Sequence, residues 1–180
     1  MDLCLNTISQ GLFYSKLIYC LQVIGNVWGL SANDETSKRY TAFTKEDNRK
    51  LQTLQNQVLR LKTGLSRYTP THTLLSASGD LSVQQLTAFH TLTAVQKIIH
   101  AGKPKYLSEK LKQNSNPTRQ GNTIEAISNS NLTLTRGAFL YRGTTLFNML
   151  PMELRTRMKP EVFKPKVKTW IRRTVQPRPT

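Results

Sequence analysis

Apolar residues recur along this chain mainly at steps of three and four. Between Leu12 and Trp28, the residues Phe13, Leu17, Leu21 (with Cys20), Ile24 and Trp28 share one stripe, the spacing of a helix with a single greasy face, and Gly29 ends it. Residues 31–40 are polar and read as loop. A second helix opens at Thr44, whose partner three residues on, Asp47, resembles a capping box with Asp in place of Glu. Leu51, Leu54, Val58, Leu61 and Leu65 then follow at a heptad-like rhythm, and Gly64 marks the stop. A third helix starts from Ser82, with Gln85 completing a capping-box pattern. It carries Val83, Leu86, Phe89, Leu92, Val95 and Ile99 to a stop at Gly102 and Pro104. The amphipathic "KYLSEKLK" adds a helical turn or two.

The rhythm then lapses. "QNSNPTRQGNT" is rich in Asn, Gly and Pro and lacks apolar periodicity, which argues for an exposed loop. With the residues after it, 113–131 form a polar linker between a three-helix region, 1–112, and a small basic region, 132–180. Within the latter, "LTLTRGAFLYRG" alternates around a Gly as a short strand or hairpin would. "TLFNMLPMELR" reads as a short helix around Leu146, Phe147 and Leu150, interrupted by Pro151 and resumed through Met152 and Leu154. In "FLYRGTTLFNMLPMELR", Gly143 reads as a turn. Finally, "KPEVFKPKVKTWIRRT" places Val162, Phe163, Val167, Trp170 and Ile171 on one side and basic residues on the other, with Phe163 and Trp170 read as core. The expected fold is mainly α: a three-helix bundle followed by a small, mostly helical basic part with at most one short strand or hairpin.

Charge gives this outline a direction. The 180 residues hold 26 Lys and Arg against 10 Asp and Glu, a formal net charge of +16 that favours polyanionic partners. Residues 1–90 contain 9 basic and 6 acidic side chains, residues 91–180 contain 17 and 4, so the partner-binding face is expected in the second half. Residues 155–180 alone hold nine basic residues and one acid, with Trp170 among Lys164, Lys166, Lys168, Arg172 and Arg173. A cationic surface with an available aromatic can track a phosphate backbone and stack a base. An anionic membrane surface would suit the same charges, but the tail lacks a long apolar face.

Catalytic patterns are missing. The aspartates Asp2, Asp34, Asp47 and Asp80 are widely spaced, and no Asp-Asp pair could hold two magnesium ions for nucleotidyl transfer. The adjacent acids Asp34–Glu35 and Glu46–Asp47 read as cap or surface residues. His72, His90 and His100 do not form HExxH and read as surface or edge histidines. "GLSRYT" and "ASGDLS" lack the spacing and lysine of a phosphate loop, and no GxSxG elbow occurs. No cofactor, metal site or small-molecule substrate is expected. Cys4 and Cys20, sixteen residues apart with no His nearby, exclude a zinc finger from this chain alone and read as buried free thiols rather than a disulfide. The opening stretch has no basic n-region, and Lys16, Gln22 and Asn26 interrupt any twenty-residue apolar run, so it reads as a core helix rather than a leader or membrane span. An intracellular location, nuclear or cytoplasmic, is expected. The N-L-T at Asn131 is a chance-level glycosylation match.

Two stretches carry a resemblance. "LFYSKLIYCLQVIGNVWG", residues 12–29, resembles the segment after the palm of non-LTR (LINE-type, jockey-like) retrotransposon reverse transcriptases, where an "LY…LI…YG…WG" pattern opens the thumb. There it precedes a helix similar to "LQTLQNQVLRLKTG", residues 51–64. "FLYRGTTLFNMLPMELR" with "FKPKVKTWI" resembles the tail of the same polyproteins, "RG…LWN.LP…FK..LK.WL". Phe147 stands for the usual Trp before Asn148, and Ile24 for the frequent Tyr before Gly25, both apolar exchanges. The resemblance implies that residues 1–112 are thumb-like, and that the chain is a C-terminal piece of an RNA-directed DNA polymerase without its palm, its metal-binding aspartates or an endonuclease domain. It further implies backbone-directed contact with an RNA or DNA template-primer duplex, with the missing palm as a partner in trans.

Two functions follow. In the first, the chain is a non-catalytic nucleic-acid-binding module in which Arg136, Arg142, Arg155, Arg157, Lys164, Lys166, Lys168, Arg172 and Arg173 reach phosphates. In the second, it is a degenerate transposon-derived remnant with no independent function, whose first helix leaves Phe13, Leu17, Leu21 and Trp28 uncovered.

Overall fold

The computed structural model describes residues 7–23, 45–111, 123–124, 139–156 and 158–174. Those residues are mainly α-helical, with no sheet among them. A π-helical segment, Ser9–Tyr14, leads into α1, Ser15–Val23. Then come α2, Lys45–Thr63; α3, Thr71–Ser78; α4, Val83–Ala101; the single turn α5, Lys105–Ser108; α6, Phe139–Asn148; a 3-10 turn, Met152–Leu154; and α7, Pro160–Thr174. Cys4, Ile24, Trp28, Gly29, the loop 31–40, the Thr44 cap, Asn131 and most of the 113–131 linker lie outside the described residues.

Most of the described helices are arranged around α4, which touches α1, α2, α5, α6 and α7. Its ends are where the pattern puts them. The Ser82 hydroxyl accepts from the Gln85 amide, the Gln85 side chain accepts from the Ser82 amide at 3.0 Å, and Gly102 closes the helix at φ 65°. That left-handed backbone is open to glycine at little cost. Its first turns pack Val83 and Leu86 against Tyr14, Leu17, Leu21 and Leu81. Its later turns pack Ala88, Leu92, Val95 and Ile98 against Leu111, Ile124, Leu146, Phe147, Leu150, Leu154, Phe163, Val167 and Ile171. This larger core therefore joins side chains from before and after residues 113–131. Leu17 and Leu21, expected bare in the remnant reading, are buried, and Phe13 is half-buried.

Three elements differ from the pattern. The stretch read as strand or hairpin is helical from Phe139 onward, and its first half lies outside the described residues. Gly143 is not a turn but a helix interior position: a Cβ built there would meet Val95 Cγ2 at 2.7 Å, so the missing side chain lets α6 cross α4 closely. The helix α3, which periodicity did not suggest, starts after Pro70 and buries Leu74 and Leu75 with Leu59 of α2.

The third difference is the orientation of α2. Of its heptad leucines only Leu51 packs against the core, whereas Leu54 is 48% exposed and Leu61 74%. Gln55, Asn56 and Leu59 are buried instead. The inner face is a hydrogen-bonded network. Gln52 donates to Gln55 Oε1 at 2.8 Å and to Asn56 Oδ1 at 3.0 Å, and accepts from the Val83 amide at 3.0 Å. Gln55 donates to the Leu81 carbonyl at 2.8 Å and to the Tyr14 hydroxyl at 3.3 Å, and Asn56 donates to Thr71 Oγ1 at 2.9 Å. The Tyr14 hydroxyl donates to Asp80 Oδ2 at 3.3 Å, where the Lys62 ammonium also arrives at 3.0 Å. Buried polar groups are tolerated because they are paired in this way.

Two outcomes follow. Gly143→Ala should lower the unfolding free energy by about 1–3 kcal/mol in urea titrations, by overpacking, and should cost less in a Val95→Ala background. Burial, ahead of the neighbouring Asp80 charge, raises the Tyr14 pKa to about 12 from an ordinary 10.0, while Gln55 partly offsets it. A pKa raised on folding gives stability that is present below the unfolded value and lost as pH rises through the folded one. Stability should therefore fall between pH values of about 10 and 12, and Tyr14→Phe should flatten that fall in pH-dependent melts.

Candidate nucleic-acid interface

The basic helix α7 is held by its apolar stripe. Phe163, Val167 and Ile171, at steps of four, are fully buried, and Trp170 is partly buried against the same core. Truncating Phe163 or Ile171 to Ala would cost about 2–5 kcal/mol. With that face occupied, the cations are turned outward: Lys164, Lys166, Arg172 and Arg173 are exposed and Lys168 is half-exposed. Charge follows the helix dipole, with Glu161 in the first turn and Arg172 and Arg173 in the last.

The 3.6-residue period divides these cations between two flanks. Lys164, Lys168 and Arg172 line one flank, successive residues ~6 Å apart along the axis. This flank turns toward α3 and α4, since the Arg172 guanidinium donates to the Gly79 carbonyl at the end of α3. Lys166 and Arg173 occupy the other flank, on the side of Trp170.

A histidine and a lysine of α4 extend the first flank. His90 and Lys97, seven residues apart, share one side of α4, and His90 sets its ring edge-on to Phe89 at 5.2 Å. Burial, and then the nearby charges of Lys164 and Lys97, lower the His90 pKa. Sequence alone makes His90 a surface or edge histidine and assigns Lys97 no role. The seven-residue spacing was the available signal, but it means little without knowing that α7 packs alongside.

The nine nominated cations do not form one group. Arg136 and Arg157 lie outside the described residues. The five on α7 are brought together as described. Arg155 is half-buried and donates from Nε to the Leu150 carbonyl at 2.6 Å, which ties the 3-10 turn back to the end of α6. Arg142 is only 6% exposed, and its burial lowers its pKa to about 10. It lies on the face of α6 that packs inward with Gly143, Leu146 and Phe147, so the expectation that it reaches a phosphate is corrected.

The apolar knot between them is a closure of the core. The Asn148 side chain donates to the Ile124 carbonyl at 3.0 Å and accepts from the Ile124 amide at 2.9 Å, standing in for a neighbouring strand. Gln96 of α4 donates to the Thr156 and Met158 carbonyls at 3.2 and 3.1 Å, fixing the approach to α7. Chemically, the arrangement offers a row of fixed positive charges. Among the described residues, no group of three His, Cys, Asp or Glu side chains could hold a metal ion, and no helix is long and apolar enough to cross a membrane.

A base whose pKa is lowered on folding contributes stability above its unfolded value, near 6.5 for His90, that is lost as the pH falls. Unfolding free energy should therefore decline on acidification from neutrality, and His90→Gln should reduce that decline in denaturant titrations across the range. Set beside protein-family models, curated proteins and solved structures, the chain matches none of them.

Proposed function

We propose that this chain is a non-catalytic helical module that holds RNA or DNA by the phosphate backbone, with α7 as its contact surface. The observation that supports the reading is the division of labour on α7. Phe163, Val167 and Ile171 are spent on the core, and five cations are left on a helix that cannot roll to hide them. Fixed cations displace condensed counterions without the entropy loss of ordering a flexible tail, and contacts to phosphate carry no sequence information. The resemblance to the thumb of non-LTR reverse transcriptases suggests the ligand, an RNA–DNA template-primer duplex, with a palm supplied in trans.

Fluorescence-anisotropy titrations against an RNA–DNA hybrid, duplex DNA and single strands should show saturable binding that weakens steeply with salt. Lys164→Gln or Lys166→Gln should each reduce the slope of log K against log salt by about 1, as loss of one phosphate contact does. Arg142→Met should leave the slope unchanged, because that guanidinium is buried. A folded protein that shows no binding, or binding indifferent to charge reversal of α7, would rule the reading out.

A further inference from the structure

Helix α2 keeps Leu54 and Leu61 on the side turned away from the protein, while Leu51 and Leu59 pack inward. Leu54 and Leu61 are 48% and 74% exposed, half-buried Val58 lies between them, and Leu65 follows just past the Gly64 turn at 36%. Steps of four and three are the spacing by which one helix offers a continuous seam to another. The seam cannot rotate inward, because Gln52, Gln55 and Asn56 pin the opposite side of the helix to Leu81, Val83 and Thr71. It is a surface that the fold presents.

Charge selects the occupant. From Asn48 to Gly79 the chain has no acid; Arg49 pairs with Glu46 and Lys62 with Asp80, and the positive charge beside the seam comes from Lys50, Arg60 and Arg67. A second copy, in either orientation, would set this cation-rich surface against its own image, and like charges beside a helical seam oppose pairing. Complementary charge favours pairing and speeds the encounter. We infer that the Leu54–Val58–Leu61 seam of α2 docks an amphipathic helix of a partner protein whose apolar stripe is flanked by acidic residues. This surface belongs to a different helix from the cations of α7, and it stands whether or not the chain binds nucleic acid.

The test is anisotropy of a fluorescein-labelled 21-residue helical peptide, with Leu at heptad a and d positions and Glu beside them, titrated with the full chain. Binding should saturate and weaken with salt. It should fall at least about tenfold in Leu61→Glu, a substitution at an exposed site, and should be unchanged in Lys166→Glu on α7. Circular dichroism melts should confirm that Leu61→Glu is folded, and Leu54→Glu supplies an independent second variant. The inference is overturned if the peptide fails to bind, if a Lys-flanked version binds equally well, or if binding follows the α7 variant rather than the seam variants. A concentration-dependent dimer in sedimentation velocity, abolished by Leu61→Glu, would overturn it too, by assigning the seam to a second copy.

Discussion

A helix buried on most of its circumference takes polar atoms inside that need partners, and α4 pairs several of them while Thr91 Oγ1 and Gln96 Oε1 are left buried without one. Its threonines do part of this locally: Thr87 and Thr93 return their hydroxyls to the Val83 and Phe89 carbonyls at 2.9 and 2.7 Å. Gln96 reaches outward to the carbonyls that precede α7. The helix is apolar toward α1 at one end and toward α6 and α7 at the other, and its two cores hold those elements in place. The basic helix has a fixed orientation because α4 gives its stripe a seat.

What the sequence disclosed depended on whether local and tertiary preferences agreed. For α4 they did: the Ser82–Gln85 box, the apolar stripe and Gly102 all point to the same helix, and its limits follow. Gly64 likewise ends α2 in a left-handed conformation, as its position suggests. For the faces of α2 they conflicted. The leucine rhythm is the stronger one-dimensional signal, yet amides with specific partners won the interior because each found a fixed donor or acceptor on another element. No periodicity encodes those partners. The α3 helix was hidden by its Thr and Ser content, residues that are equally at home in turns. The Leu-Thr alternation of residues 132–135, outside the described residues, suggests a strand that does not continue into α6, and the closeness of Val95 explains Gly143 inside that helix.

The interface was partly legible for a similar reason. Counting charges locates the basic third of the chain, and the Phe163, Val167, Ile171 spacing tells which side of α7 faces water. Position in sequence could not separate Arg142 from Arg155 or Lys164, since all three flank apolar runs. Burial separates them: one guanidinium lies inside, one ties a turn to a carbonyl, and one lysine stands free to solvent. His90 and Lys97 join the surface only because two helices distant in sequence lie side by side.

The amide network beneath α2 works as a register key. If Gln52, Gln55 and Asn56 were leucines, the helix would carry two greasy stripes on roughly opposite sides, and either could seat against α4 with similar area. Such a chain would bury more oil and yet lose its single answer, because oil does not distinguish one rotation from another. Hydrogen bonds do, since a wrong rotation strands several buried amides at once. Glutamine and asparagine thus set the angle at which α2 sits, and that angle leaves Leu54 and Leu61 facing outward.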